Sequence, residues 1–172
     1  MITIVSSTNR RDNKSIQVAY YYQNLLSQKG VESRILDLTE LPSDFIETAL
    51  YGSKNERFNE LRYIMETAEK YVFVIPEYNN SFPGVLKAFI DGLSYPNALA
   101  HKKCALVGIS DGVQGNALGL SHITDVFNYL GMHVMAQKVR IPLMKKNFLD
   151  HEIQDAFIRK LVDEQAELFL HF

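Results

Sequence analysis

Short apolar runs alternate along the chain with longer stretches in which apolar residues recur every three or four positions. The apolar runs predict five strands: Ile2–Val5, Ser33–Leu38, Tyr71–Ile75, Lys103–Ile109 and Lys138–Ile141. Tyr71–Ile75 is apolar at every position, which is typical of a central strand in a parallel sheet with both faces buried. These runs therefore predict a sheet with its core on both sides.

Helical spacing fills the intervals between these strands. The first helix has Val18, Tyr22 and Leu26 on one face, with Ser15 as its predicted N-cap and Gly30 as its end. The later helices are predicted over Glu56–Lys70, from near Pro83, from after Gly115 to Gly131, and after a cap at Asp150. Thr39–Asn55, with Pro42 and Gly52, has no regular spacing and is expected to be irregular.

The resulting order is βαβαβαβαβα, which indicates a parallel sheet with helices on both faces. Right-handed crossovers leave few arrangements of such a chain. We expect an α/β, three-layer sandwich with a five-stranded parallel sheet in the flavodoxin-like order 2-1-3-4-5. The length of 172 residues fits one domain over residues 1–172.

Composition narrows the class of partner. The formal net charge of −2 lacks the basic footprint expected of a nucleic-acid-binding protein. No apolar run approaches the ~20 residues that span a bilayer, and the N-terminal segment does not resemble a signal peptide. With Cys104 as its one cysteine, the chain cannot form an intramolecular disulfide, and this side chain is expected in the core. We therefore expect a cytoplasmic protein with neither a nucleic-acid partner nor a membrane partner.

Three loops follow predicted strands at the position where this strand order places a ligand. In open α/β sheets the site lies at the carboxyl ends of the strands, where the strand order reverses. For this order the reversal lies between the first and third strands, so the loops Ser6–Ser15, Pro76–Ser81 and Ser110–Gly115 should line the site.

The composition of the first two loops leaves two interpretations of each. Ser6–Ser15 offers hydroxyl, amide and guanidinium donors at a helix N-terminus, which suits a phosphate, although a solvated loop with a serine cap has the same composition. It is neither a Walker P-loop nor a GxGxxG fingerprint. Pro76–Gly84 offers backbone N–H groups, amides and aromatic surface for a flat heterocycle, but these residues also favour a plain turn.

The segment Pro76–Asp91, PEYNNSFPGVLKAFID, closely resembles the PEYN-x-S-x-PG-x-LKNxID segment of the NADPH-dependent FMN reductase family. Val5–Arg10, VSSTNR, is similar to the first strand and phosphate loop of that family. The order of elements matches over nearly the whole chain. The resemblance implies bound FMN, with NADPH or NADH as co-substrate.

The resemblance also implies a set of cofactor-binding residues. Thr8, Arg10 and Ser15 would take the phosphate, with Asn13 where the family usually has serine. The isoalloxazine would lie along Pro76, Glu77, Tyr78 and Asn79, with Ser81 supporting their loop. Ser110, Gly112 and Gly115 would form a third wall, although Ser110–Asn116 departs most from the family pattern. There, the negative charge of Asp111 would be unfavourable near a reduced, anionic flavin.

The family mechanism implies transfer of hydride to flavin N5 and then to a flavin, quinone or similar small acceptor, with no catalytic side chain and no metal. The five histidines have no metal-ligand spacing. Family members are usually dimers or dimer pairs, so a homodimer or tetramer is expected. Two alternatives remain open: a flavodoxin-type electron carrier, and a flavin-free binding module on the same fold.

Overall fold

The computed structural model describes residues 1–51 and 55–172. Its strands are β1 Ile2–Ser6, β2 Ser33–Asp37, β3 Lys70–Pro76, β4 Lys103–Ile109, β5 His133–Val134, β6 Val139–Ile141, β7 Phe148–Leu149 and β8 Glu152–Ile153. Its α-helices are α1 Lys14–Gln28, α2 Phe45–Thr48, α3 Glu56–Thr67, α4 Gly84–Asp91, α5 Ala117–Tyr129, α6 Met144–Asn147 and α7 Ala156–His171, with a 3-10 turn at Leu38–Glu40.

The main sheet has the parallel order β2-β1-β3-β4-β5, and β6 also pairs with β4. This confirms the predicted flavodoxin-like α/β sandwich. The fifth position is shared by two short strands, because β5 pairs with the start of β4 and β6 with its end. The predicted strand Lys138–Ile141 is therefore only the second half of this edge.

The central strand β3 separates two apolar cores. Tyr71, Phe73 and Ile75 point to one side, where they pack with side chains of α3, α4 and α5. Val72 and Val74 point to the other side, where α1 and α7 cover the sheet. The unbroken apolar run of the sequence follows from this burial on both faces. Cys104 is buried in the first core, and burial raises the pKa of its thiol, as expected of a core residue.

Two predicted helix starts are wrong. The N-cap of α1 is Asn13, whose side chain accepts a hydrogen bond from the N–H of Ile16, and Ser15 lies within the first turn. The last helix is capped by Asp155, which accepts from the N–H groups of Phe157 and Ile158. Asp150 instead forms the turn of the β7–β8 hairpin, with a φ of 51°. Asparagine and aspartate favour both caps and turns, so their identity alone does not separate these roles.

Other element ends differ by a few residues. The helix predicted over Glu56–Lys70 ends at Thr67, and Lys70 opens β3. The segment predicted to be irregular contains the 3-10 turn and α2, while its residues 52–54, with Gly52, lie outside the described residues. None of the helices in the described part of the chain is long and apolar enough to cross a membrane.

Candidate active site

A cleft of about 270 Å³ opens at the carboxyl ends of β1, β3 and β4. Its walls are the three loops expected from the strand order. Among the predicted site residues, it brings together Thr8, Arg10, Asn13, Ser15, Pro76, Glu77, Tyr78 and Ser110. Asn79, Ser81, Gly112 and Gly115 lie outside its lining, whereas Asp12, Lys14, Ile109, Asp111 and Met144 contribute to it.

Asn13 holds the first loop in shape. Its amide oxygen caps α1 at 2.9 Å from the nitrogen of Ile16, and its amide nitrogen donates to the carbonyl of Arg10 at 2.7 Å. Both polar ends of the side chain are thus used inside the loop. Asn13 therefore orders the N-terminus of α1, and this explains how asparagine serves where the family usually has serine.

Ser15 presents a hydroxyl whose partner is missing. Its side chain is fully buried and lines the cleft, yet Oγ has no hydrogen-bond partner among the described residues. An unsatisfied buried hydroxyl costs about 1–3 kcal/mol, so such groups usually have a partner. Because Ser15 lies in the first turn of α1, near the positive end of the helix dipole, an anion in the cleft would suit this hydroxyl.

Arg10 adds positive charge at the rim of the same cleft. Its side chain is exposed, and no carboxylate lies within ion-pair distance of it in the described part of the chain. An anion bound at α1 could therefore recruit this guanidinium without breaking an ion pair. The orphaned Ser15 hydroxyl, the helix N-terminus and Arg10 together fit a phosphate group.

The first and second loops are joined by a hydrogen bond between two hydroxyls. Thr8 Oγ1 lies 2.7 Å from the Tyr78 hydroxyl, and it also accepts from the N–H of Arg10 at 3.3 Å. The second loop is itself closed by reciprocal backbone bonds between Tyr78 and Ser81, of 2.9 and 3.0 Å. Asn79 and Asn80 form the turn with φ values of 49° and 62°, a conformation that asparagine tolerates well.

Asn116 joins the second loop to the third, a role that the sequence analysis did not assign. Its side-chain amide donates to the carbonyls of Ile75 and Pro76, at 3.1 Å each, and its backbone N–H donates to Glu77 Oε2 at 3.1 Å. Asn116 has a φ of 64°, a left-handed conformation that asparagine adopts more readily than most residues. No period or motif of the sequence marks it.

The third wall is closed by Ser110. Its hydroxyl donates to the carbonyl of Gly112 and accepts from the N–H of Gly115, at 3.0 Å each. Gly115 has a φ of 59°, and a Cβ there would lie 2.8 Å from Cβ of Arg140, so glycine is required for packing. Asp111 lies at the cleft with its carboxylate 3.8 Å from Lys145 Nζ, which partly offsets its negative charge.

The histidines show one contact near this site. His122 Nδ1 on α5 lies 2.9 Å from Ser81 Oγ, at the exposed side of the second loop. Over residues 1–51 and 55–172 no group of three metal-ligating side chains comes together. The Ser81 hydroxyl therefore supports its loop through His122, outside the cleft lining.

Comparison with known proteins identifies the family. The sequence model of the NADPH-dependent FMN reductase family matches residues 1–144, so the chain belongs to this family. The resemblance found in the second loop is thereby confirmed. The protein is accordingly an NAD(P)H-dependent oxidoreductase that uses FMN.

Two curated relatives give the family a more specific context. The chain is similar to the 2-hydroxy-1,4-benzoquinone reductase of a Burkholderia species, with 31% identity over 79% of this chain and 74% of the relative. It is also similar to an NAD(P)H-dependent FMN reductase of Pseudomonas aeruginosa, with 29% identity over 80% of this chain and 71% of the relative.

Among solved structures, the apo form of the NADH:FMN oxidoreductase EMOB superposes with a TM-score of 0.82. The match has 20% identity and covers 98% of this chain and 87% of that one. At this identity the likeness shows the fold alone, and it agrees with the flavodoxin-like sheet described above.

Proposed function

We propose that this oxidoreductase passes hydride from NADPH or NADH through bound FMN to a quinone, with free flavin as a second acceptor. The observation that carries the proposal is the cleft in which the orphaned Ser15 hydroxyl and the α1 N-terminus face the Pro76–Tyr78 wall. The quinone class is supported by the printed activity of the Burkholderia relative. The cytoplasmic setting stays a prediction.

The predicted site residues would hold the cofactor in two parts. Thr8, Arg10 and Ser15 would bind its phosphate, while Asn13 keeps the loop in place. Pro76, Glu77, Tyr78 and Asn79 would lie along the ring system, and Ser81 would support them. Ser110, Gly112 and Gly115 would close the third wall through a backbone fixed by the Ser110 hydroxyl.

The protein's share of the chemistry is binding and orientation. Bound FMN supplies the hydride-accepting centre, so no side chain has to act as nucleophile or general base. The Asn116 bonds hold the carbonyls of Ile75 and Pro76 and thus fix the wall against which a ring would lie. A preorganised wall limits the acceptor to a flat molecule that can take the place of the nicotinamide.

An anaerobic titration tests this function. Purified protein reconstituted with FMN should show flavin absorbance that bleaches on addition of NADPH or NADH and returns when a benzoquinone is added. Steady-state turnover should exceed that of free FMN at equal concentration. Flavin bands that bleach with neither nucleotide would contradict the reductase and favour the flavodoxin-type carrier, and a protein that takes up no FMN would contradict the proposal in favour of a flavin-free module.

We further propose that the protein forms a homodimer through a groove between α4 and α5. This α4–α5 groove has a volume of about 750 Å³ and includes the apolar side chains Ile90, Leu93, Leu99 and Val126. Tyr95 and Tyr129 also line it and are 80% and 82% exposed. Aromatic residues are enriched at interfaces.

A second copy of the chain is the proposed occupant of this largely apolar groove. Lys87 and Asp91 line it as an ion pair within α4, with Lys87 Nζ 2.6 Å from Asp91 Oδ1, and Asp125 also lines it, so two of these three charges already offset each other. A twofold interface brings identical patches together, and this requires a patch that complements itself.

Tyr129→Lys should convert the dimer to a monomer, because it places a charge in the apolar groove. The mass is measured by light scattering after size exclusion. Tyr63→Lys is the matched control, since Tyr63 is 68% exposed on α3 and lies outside the groove lining. A wild-type monomer, or a Tyr129→Lys variant that stays dimeric, would contradict the proposed interface.

A further inference from the structure

The contact between Thr8 and Tyr78 crosses the cleft. The two hydroxyls lie 2.7 Å apart, although the residues are 70 positions apart in sequence and belong to different walls. Thr8 is almost fully buried, while Tyr78 is half-buried and lines the same cleft. A contact of this kind fixes the relative position of the phosphate loop and the ring-binding loop before any ligand binds.

Both hydroxyls are held by backbone that is already ordered. The loop before Thr8 is tied to β3 by a bond of 3.1 Å from the N–H of Ser7 to the carbonyl of Val74. Tyr78 is fixed by its two backbone bonds with Ser81. Neither side chain has to be ordered when a ligand arrives, which reduces the entropic cost of binding.

The direction of the Thr8–Tyr78 hydrogen bond decides whether the Thr8 hydroxyl can donate to an anion. Thr8 Oγ1 has one proton and two lone pairs, and the N–H of Arg10 already occupies one lone pair. If Thr8 donates to Tyr78, it has no proton left for an anion. If Tyr78 donates to Thr8, both lone pairs are filled and the threonine proton is free. A phenol is a better hydrogen-bond donor than an aliphatic alcohol, so the second arrangement is favoured.

We infer that Tyr78 is a positioning residue that commits the Thr8 hydroxyl to the 5′-phosphate and so makes the site select FMN over riboflavin. This inference rests on the proposed function, since it assigns the phosphate to the Thr8 side of the cleft. A phosphate dianion accepts hydrogen bonds and donates none, so each hydroxyl that is turned toward it adds a charge-assisted bond. Riboflavin has no such group and gains nothing from the arrangement.

The test is the ratio of riboflavin to FMN dissociation constants, measured by quenching of flavin fluorescence on titration with apoprotein. Thr8→Val should weaken FMN binding about tenfold and leave riboflavin binding within about twofold, as expected for one charge-assisted bond. Tyr78→Phe should weaken FMN binding about threefold, because Thr8 keeps its proton but loses the hydroxyl that orients it, and it should leave riboflavin binding unchanged. The double variant Thr8→Val with Tyr78→Phe should bind FMN no more weakly than Thr8→Val alone, because the effect of Tyr78 passes through Thr8.

The outcomes distinguish the role of Tyr78 from the presence of a phosphate site in the cleft. Equal weakening of FMN and riboflavin by Tyr78→Phe, or additive effects in the double variant, would assign Tyr78 a purely structural role and overturn the inference. A wild-type protein that binds both flavins equally would instead remove the proposed phosphate site. If Tyr78→Phe melts below the assay temperature, Thr8→Val removes the other partner, and an unchanged ratio there overturns the inference equally.

Discussion

Replacing Ser15 by alanine is expected to weaken FMN binding by roughly ten- to a hundredfold without lowering the free energy of unfolding of the apoprotein. The Ser15 hydroxyl is buried at the N-terminus of α1 and has no partner in the described part of the chain. A hydrogen bond to a charged group contributes about 1.5–3 kcal/mol, which gives that range in the dissociation constant. In the apoprotein the same substitution removes an unsatisfied polar atom, so the free energy of unfolding should stay equal or rise slightly.

Fluorescence titration measures the FMN dissociation constant, and urea unfolding measures the free energy of unfolding of the apoprotein. Ser27→Ala is the matched control, because Ser27 lies on the same helix at its exposed C-terminal end. It should change neither quantity by more than about 0.5 kcal/mol, as is usual for surface positions. An apoprotein destabilised by Ser15→Ala would show that the hydroxyl serves the fold, and unchanged FMN affinity would place the phosphate elsewhere.

Asn116→Ala is expected to destabilise the apoprotein by about 2 kcal/mol and to weaken FMN binding. The substitution removes two amide hydrogen bonds to the carbonyls of Ile75 and Pro76, of about 1 kcal/mol each. It also removes the amide oxygen, which is buried without a partner in the described part of the chain, and this offsets about 1 kcal/mol. It also forces alanine into a φ of 64°, where a Cβ costs about 1 kcal/mol or more. The wall formed by Pro76 and Glu77 would then lose its support from α5.

Asn116→Gly separates the two contributions, because glycine accepts the positive φ but makes no side-chain bonds. It should be more stable than Asn116→Ala by about 1 kcal/mol and still less stable than the wild type. Urea unfolding of the three apoproteins measures the order. Equal stability of the two variants would show that the backbone conformation carries no strain. An alanine variant as stable as the wild type would show that the Asn116 side chain does not hold the two loops together.

The sequence by itself determined the sheet and the place of the site. Alternation of strand and helix patterns, with a fully apolar Tyr71–Ile75 run, left few arrangements, because parallel strands need long right-handed crossovers, and the expected order 2-1-3-4-5 is the one observed. That order placed the three loops at one edge of the sheet, and the cleft lies there. The motif in Pro76–Asp91 then identified the family, which the match over residues 1–144 confirms.

Local patterns were least reliable where one residue type serves several roles. The residue types predict caps at Ser15 and Asp150, because serine and aspartate favour caps, yet Asn13 and Asp155 perform that role. The true N-cap is set by which side chain reaches a free N–H in the folded backbone. The sequence shows neither that geometry nor the division of the last strand into β5 and β6 along β4.

Only the tertiary structure decided how the three loops hold one another. The hydroxyl contact of Thr8 with Tyr78 joins residues 70 positions apart, and the amide of Asn116 reaches carbonyls 40 and 41 positions earlier. Such contacts depend on the position of each strand end and helix start in space, and no period or motif encodes that position. The sequence therefore determined which loops form the site, whereas the packing of α5 against β3 and β4 decided which side chains fix its walls.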